Sequence, residues 1–129
     1  MAVDILIVDD SSAIRKIIQR ALVQAEVTIG KVMEAGDGIE ALAILKENKV
    51  GLILCDINMP RMDGLQLLGE IKANPEYKHI PVLMVTAEGA RAKVLEAVNL
   101  GAVGYVRKPF TADLIKEKLV DLLLDGAKA

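Results

Sequence analysis

Residues 52–56 read Leu52-Ile53-Leu54-Cys55-Asp56, four apolar side chains in succession and then a carboxylate. An unbroken apolar run of this length, with no polar alternation, suits a strand covered on both faces. The pattern recurs in both directions along the chain. Ile5-Leu6-Ile7-Val8 stops on Asp9 and Asp10, Val82-Leu83-Met84-Val85 on Thr86, and Tyr105-Val106-Arg107 on Lys108. Strands are therefore expected over 4–9, 51–55, 81–85 and 103–107, with a weaker one over 31–35.

Amphipathic stretches fill the gaps. A helix is expected over 12–24, with Ile14, Ile17, Ile18, Ala21, Leu22 and Ala25 on its inner face. Asp10 or Ser11 is placed to cap it. Asp37-Gly38 opens a second helix reaching about residue 47, with Ile39, Leu42 and Ala43 inward. The Pro60 and Asp63-Gly64 signals make 59–64 a loop. A third helix over 65–73 ends at Asn74-Pro75, because a proline disfavours helical geometry in the residue before it. A fourth over 90–100 is stopped by Gly101. It is apolar on more than one face; Leu95 and Val98 are expected to meet the sheet, leaving Val94 outward. A fifth over 111–124 carries Ile115, Leu119 and Leu122 on one side.

Five β/α units in 129 residues are too few to close an eight-unit barrel. The fold class is α/β, a single-domain, open, doubly wound five-stranded parallel sheet with five helices. Hydrophobic residues make up 53% and charged ones 26%, enough for a packed core; with only 2% aromatics, that core is aliphatic. The net charge of −2 includes no basic stripe of the kind that binds nucleic acid. No apolar run is long enough for membrane insertion, and no basic segment precedes an apolar one as in a secretory signal. The lone Cys55 reads as a core residue in a reducing, cytoplasmic setting. His79 reads as a solvated loop residue.

A parallel sheet places all strand C-termini on one edge, so the residues that end the runs converge. Asp9, Asp10 and Asp56 would form a carboxylate cluster whose mutual repulsion a hard divalent cation relieves, and Mg²⁺ suits it best. Asn58 adds a carbonyl or amide nearby. Taken alone, Asp9-Asp10 could equally be a helix cap, Lys108 a surface lysine and Thr86 a β-forming residue at a strand end. Taken together, three carboxylates, a hydroxyl and an ammonium suit a cation and a phosphoryl group, with Asp56 a competent nucleophile.

Val8-Asp9-Asp10-Ser11, Asp56-Ile57-Asn58-Met59-Pro60 with Met62-Asp63-Gly64, Thr86-Ala87-Glu88, Gly104-Tyr105 and Lys108-Pro109-Phe110 occur here in one order. By these motifs the chain resembles a response-regulator receiver domain of the single-domain chemotaxis type. The resemblance implies strand order 2-1-3-4-5, the flavodoxin-like arrangement, and a single receiver domain over 1–129 with no output domain. It implies that Asp56 accepts a phosphoryl group from a phosphohistidine of a sensor histidine kinase. Asp9, Asp10, Asp56 and Asn58 would form the Mg²⁺ site, while Lys108 and Thr86 bind the phosphoryl oxygens. Asn58 and Glu88 match positions that tune dephosphorylation, and Thr86 with Tyr105 forms the conformational switch. Val94, Tyr105 and Lys118 would lie on the face that docks a flagellar switch protein. The resemblance further implies a monomer, a cis bond at Lys108-Pro109, and catalysis limited to the domain's own phosphorylation and dephosphorylation.

Two other readings fit the composition less well. A Mg²⁺-dependent aspartyl phosphatase usually carries a second carboxylate two residues after its nucleophile, where this chain has Asn58. A flavin or nucleotide protein wants a glycine-rich phosphate loop after the first strand, where Asp9-Asp10 would repel an anion. A stand-alone receiver serving a phosphorelay or another output pathway keeps the same chemistry with a different partner.

Overall fold

The structure is a computed structural model and describes residues 3–24, 29–87, 91–108, 113–114 and 117–118, with the backbone alone at 86, 87, 91 and 108. Five strands, β1 (Val3–Val8), β2 (Ile29–Ala35), β3 (Leu52–Asp56), β4 (Val82–Ala87) and β5 (Gly104–Lys108), alternate with α1 (Ser12–Gln24), α2 (Gly38–Glu47), α3 (Gly64–Ala73) and α4 (Arg91–Leu100). The strands pair in parallel in the order β2-β1-β3-β4-β5. Of the expected fifth helix, 113–114 and 117–118 are described and helical; the remainder, with Ile115, Leu119 and Leu122, lies outside the described residues, as do Ala25 and Ala90.

The apolar runs behave as their composition requires. Because successive strand residues point to opposite faces, each run feeds two cores. Leu6, Val8, Ile53, Cys55 and Met84 pack with Ala41, Leu45, Leu67, Leu68, Ile71 and Ala97 of α2, α3 and α4. Ile5, Ile7, Leu52, Leu54, Leu83 and Val106 pack with Ile18, Ala21 and Leu22 of α1, and Leu114 joins that side. The sheet is therefore wound on both faces. Each fully buried Leu or Ile contributes roughly 1.5–3 kcal/mol against exposure.

Two helices turn a different face inward from the one expected. In α1 the expected face is the buried one: Ile18, Ala21 and Leu22 are buried and Ile14 packs against them, while Ile17 is half-exposed. In α2, Leu42 packs half-buried against the core as expected, but Ile39 and Ala43 lie outside while Ala41 and Leu45 are buried. The rotation of α2 is set at its start. Gly38 lies so close to Met62 that an added Cβ would sit 2.6 Å from its Cγ, and the Gly38 N–H donates to the Met62 carbonyl at 3.1 Å. In α4, Leu95 and Val98 are 61% and 49% exposed, whereas Val94 is half-buried against the core and Ala97 is buried. Gly101, at φ 110°, ends α4 in the left-handed geometry that glycine adopts without steric penalty.

The loop after β3 is tied down from both ends. Asp63 and Gln66 form a reciprocal capping box at the start of α3 (3.0 and 2.9 Å). Arg61, at a left-handed φ of 60°, donates from Nε to Oδ2 of buried Asp37 at 2.6 Å and from Nη2 to the same oxygen. Asp37 caps α2 through the Glu40 N–H at 2.9 Å. That backbone hydrogen bond first, then the bond to and charge of Arg61, hold its carboxyl below the ordinary value of 3.8 against the opposing effect of burial. A depressed folded-state value stabilises the fold above the unfolded value, and that contribution disappears as pH falls through the lowered one. Acid unfolding below about pH 3.8 should therefore be less steep in Asp37→Asn than in the parent, as followed by far-UV circular dichroism.

Candidate functional site

The site is built where β1 and β3 end side by side. Val8 pairs with Cys55, so the next residues, Asp9 and Asp56, leave the sheet together. Asp56 is the last residue of β3, and Asp9 lies just past β1. Both are nearly enclosed, at 6% and 1% exposure, while Asp10 is exposed. One carboxylate oxygen from each of Asp9, Asp10 and Asp56 lies within 4.8 Å of the other two. Among the described residues, this is the group of acidic, histidine or cysteine side chains that could hold a metal ion. The donors are all hard oxygens, the type that Mg²⁺-like cations prefer, with one open, exposed side.

Local contacts hold the acidic loop in place. The Ser11 N–H donates to Asp9 Oδ1 at 2.9 Å, and the Ile14 N–H donates to Ser11 Oγ at 3.3 Å. Ser11, rather than Asp10, thus supplies the helix cap, leaving the Asp10 carboxylate to the cluster. Arg15 of α1 donates to the Asp9 carbonyl and, through Nε, to Glu34 Oε1 at 2.8 Å. On the other side, Gly64 closes against β3, its N–H donating to the Ile57 carbonyl at 2.8 Å.

The remaining expected residues fall around the same edge. Thr86 lies inside β4, which continues to Ala87, so the strand does not stop before it. Its backbone is one step beyond Val85, the partner of Asp56. Lys108 is the last residue of β5 and pairs with Ala87. The side chains of Thr86 and Lys108, all of Glu88, and the Lys108-Pro109 bond lie outside what is described. Asn58 is exposed two residues past Asp56, and its Oδ1 accepts from Lys93 Nζ of α4 at 2.9 Å. Tyr105 and Lys118 are exposed. Val94, expected on the outside, is turned toward the core, so the outward apolar face of α4 is Leu95 and Val98.

Residues 5–120 match the family model described as "Response regulator receiver domain". The chain belongs to the response-regulator receiver family. The receiver is 46% identical over 115 residues to the chemotaxis protein CheY-3 of Vibrio cholerae, covering 89% of this chain and 87% of that one. It superposes on the structure of the chemotaxis response regulator CheY4 of Vibrio cholerae with a TM-score of 0.83 at 33% identity, covering 94% and 98% of the two chains. A structure of the Mn²⁺-bound form of response regulator Rcp1 is similar at TM-score 0.77 and 33% identity, covering 89% and 88%. Among the described residues of the receiver, no helix is long and apolar enough to cross a membrane.

Gly64, Arg15 and Lys93 were not legible as parts of this site. Asp63-Gly64 read as a turn, whereas the structure makes Gly64 a point of close backbone approach to Asp56. For Arg15 and Lys93 no local signal exists, because both reach partners by tertiary folding. Cys55, beside Asp56, is buried in the core as expected: burial first, then the charges of Asp56, Asp9 and Asp63, push its thiol far above the usual range. Iodoacetamide at pH 8 should leave the folded receiver unmodified and alkylate one site once urea unfolds it, as read by intact mass.

Proposed function

We infer that this receiver is a phosphorylation-driven signalling switch of a two-component system, serving chemotaxis, in which Asp56 takes a phosphoryl group from a phosphohistidine of a sensor histidine kinase. The meeting of the Asp9, Asp10 and Asp56 carboxylates at one sheet edge carries this reading. The relatives named for chemotaxis and the Mn²⁺-bound neighbour support it.

Asp9, Asp10 and Asp56, with Asn58, are the residues that would hold Mg²⁺, which when bound neutralises carboxylate and phosphoryl charge. A carboxylate oxygen of Asp56 bonds to phosphorus as the bond from phosphorus to the donor imidazole nitrogen breaks, and that nitrogen leaves with the electron pair. Lys108 offers fixed positive charge and Thr86 a hydroxyl donor to the phosphoryl oxygens, so the protein's contribution is position and charge. Burial of Asp9 and Asp56 limits competing water. Asn58 and Glu88 tune the return reaction. The new phosphoryl charge draws Thr86 inward, and Tyr105, exposed in this structure, turns to follow it. The output face then combines Leu95 and Val98 of α4 with Tyr105 and Lys118, and its target is a flagellar switch protein.

Acetyl phosphate and Mg²⁺ should add one phosphoryl group per chain, read by intact mass, with none added when EDTA replaces Mg²⁺. Rapid multiple turnovers on unrelated phosphomonoesters would favour the aspartyl phosphatase instead.

A further inference from the structure

The Asn58–Lys93 contact joins two segments 35 positions apart and lies on the edge that holds the carboxylates. It also fixes which end of the Asn58 amide faces which way. An ammonium group has three donors and no acceptor, so the amide atom facing Lys93 Nζ must be the carbonyl oxygen. The Asn58 NH₂ group is therefore turned away from α4, and its two N–H groups remain for other acceptors. Both side chains are exposed, so the bond does not serve core packing.

We propose that Lys93 is a positioning residue that prolongs the phosphorylated state by locking Asn58 as a hydrogen-bond donor; this rests on the reading of Asp56 as phosphoacceptor. In hydrolysis, a water oxygen forms a bond to phosphorus while the bond from phosphorus to the Asp56 oxygen breaks. Asp56 leaves as a carboxylate with the electron pair, and the water's proton passes to phosphate or solvent. The water must aim a lone pair at phosphorus. A water that accepts from the Asn58 NH₂ group has committed a lone pair to the amide. A water that instead donates to the amide oxygen keeps both lone pairs free. With Lys93 holding that oxygen, only the first arrangement is on offer, and attack is slowed. Without Lys93 the amide can rotate by 180° and present its oxygen.

The test compares the parent with Lys93→Met, which keeps most of the stem and removes the donor, and with Lys93→Arg, which restores a donor. Each is phosphorylated with acetyl phosphate and Mg²⁺, freed of donor, and followed by intact mass. Lys93→Met should lose its phosphoryl group about fivefold faster, the size expected for loss of one net hydrogen bond, and Lys93→Arg should return toward the parent rate. In Asn58→Ala, adding Lys93→Met should change nothing further. Independently, in the Mg²⁺-free, unphosphorylated protein, the Asn58 side-chain ¹⁵N–¹H₂ resonances should shift in Lys93→Met and not in Lys93→Arg. Equal loss rates for parent and Lys93→Met, or an acceleration that persists in the Asn58→Ala background, overturns the proposal. Failure of the parent to become phosphorylated overturns the phosphoacceptor reading instead, and the resonance comparison still reports on the lock.

Discussion

Asp56→Asn is expected to take up no phosphoryl group from acetyl phosphate and Mg²⁺ under conditions that modify the parent fully. The amide is neutral and its oxygen is a poor nucleophile, so the bond to phosphorus does not form. Nearly the same shape is kept, which makes the loss chemical rather than a failure of folding. The substitution also removes one of three charges gathered within 4.8 Å, so Mg²⁺ affinity should fall by about tenfold or more. Because a cation that binds only the folded state stabilises it, the rise in denaturation midpoint that Mg²⁺ gives the parent should shrink correspondingly. Intact mass and Mg²⁺ titration of the unfolding midpoint read these two effects. Full modification of Asp56→Asn, or an unchanged response to Mg²⁺, would remove Asp56 from the site.

Gly64→Ala should be the most damaging glycine-to-alanine change among the described glycines whose surroundings are known. A Cβ there would sit 2.0 Å from the Asp56 carbonyl oxygen and 2.8 Å from Ile57 Cα. Both are backbone atoms, so no rotamer change relieves the clash; the peptide that carries Asp56 has to move. A cost of at least about 3 kcal/mol in urea unfolding is expected, together with reduced phosphorylation in whatever remains folded. Gly69→Ala is the matched control in the same helix. Nothing lies within 4 Å of its added Cβ, and it should stabilise by about 0.5–1 kcal/mol through helix propensity. A Gly64→Ala cost no larger than 1 kcal/mol would mean that this close approach is not a constraint on the site.

The strands and their shared edge were legible because a sheet covered on both faces demands unbroken apolar runs. Leu52-Ile53-Leu54-Cys55 and its counterparts announce that burial without reference to any partner. Helix existence was legible for a related reason: Asp37, Asp63 and Gly101 mark ends through local backbone chemistry. The rotation of α2 and α4 was not. Ile39 and Ala41, or Val94 and Leu95, are apolar residues one or two positions apart, and which one turns inward depends on what the helix meets. Strand ends were read one or two residues early at Thr86, since ladder pairing with β5 continues after the apolar run stops.

Patterning in the sequence determined the layered α/β architecture and the edge where Asp9, Asp10 and Asp56 converge, because hydrophobic burial acts through the residues themselves, while the strand order came from the resemblance. Only the tertiary structure decided which face α2 and α4 present, that Gly64 must lack a side chain, and that Lys93 reaches Asn58. Those are contacts between segments that carry no mark of one another in the chain. Their geometry comes into being only when α2, α3 and α4 settle onto the sheet.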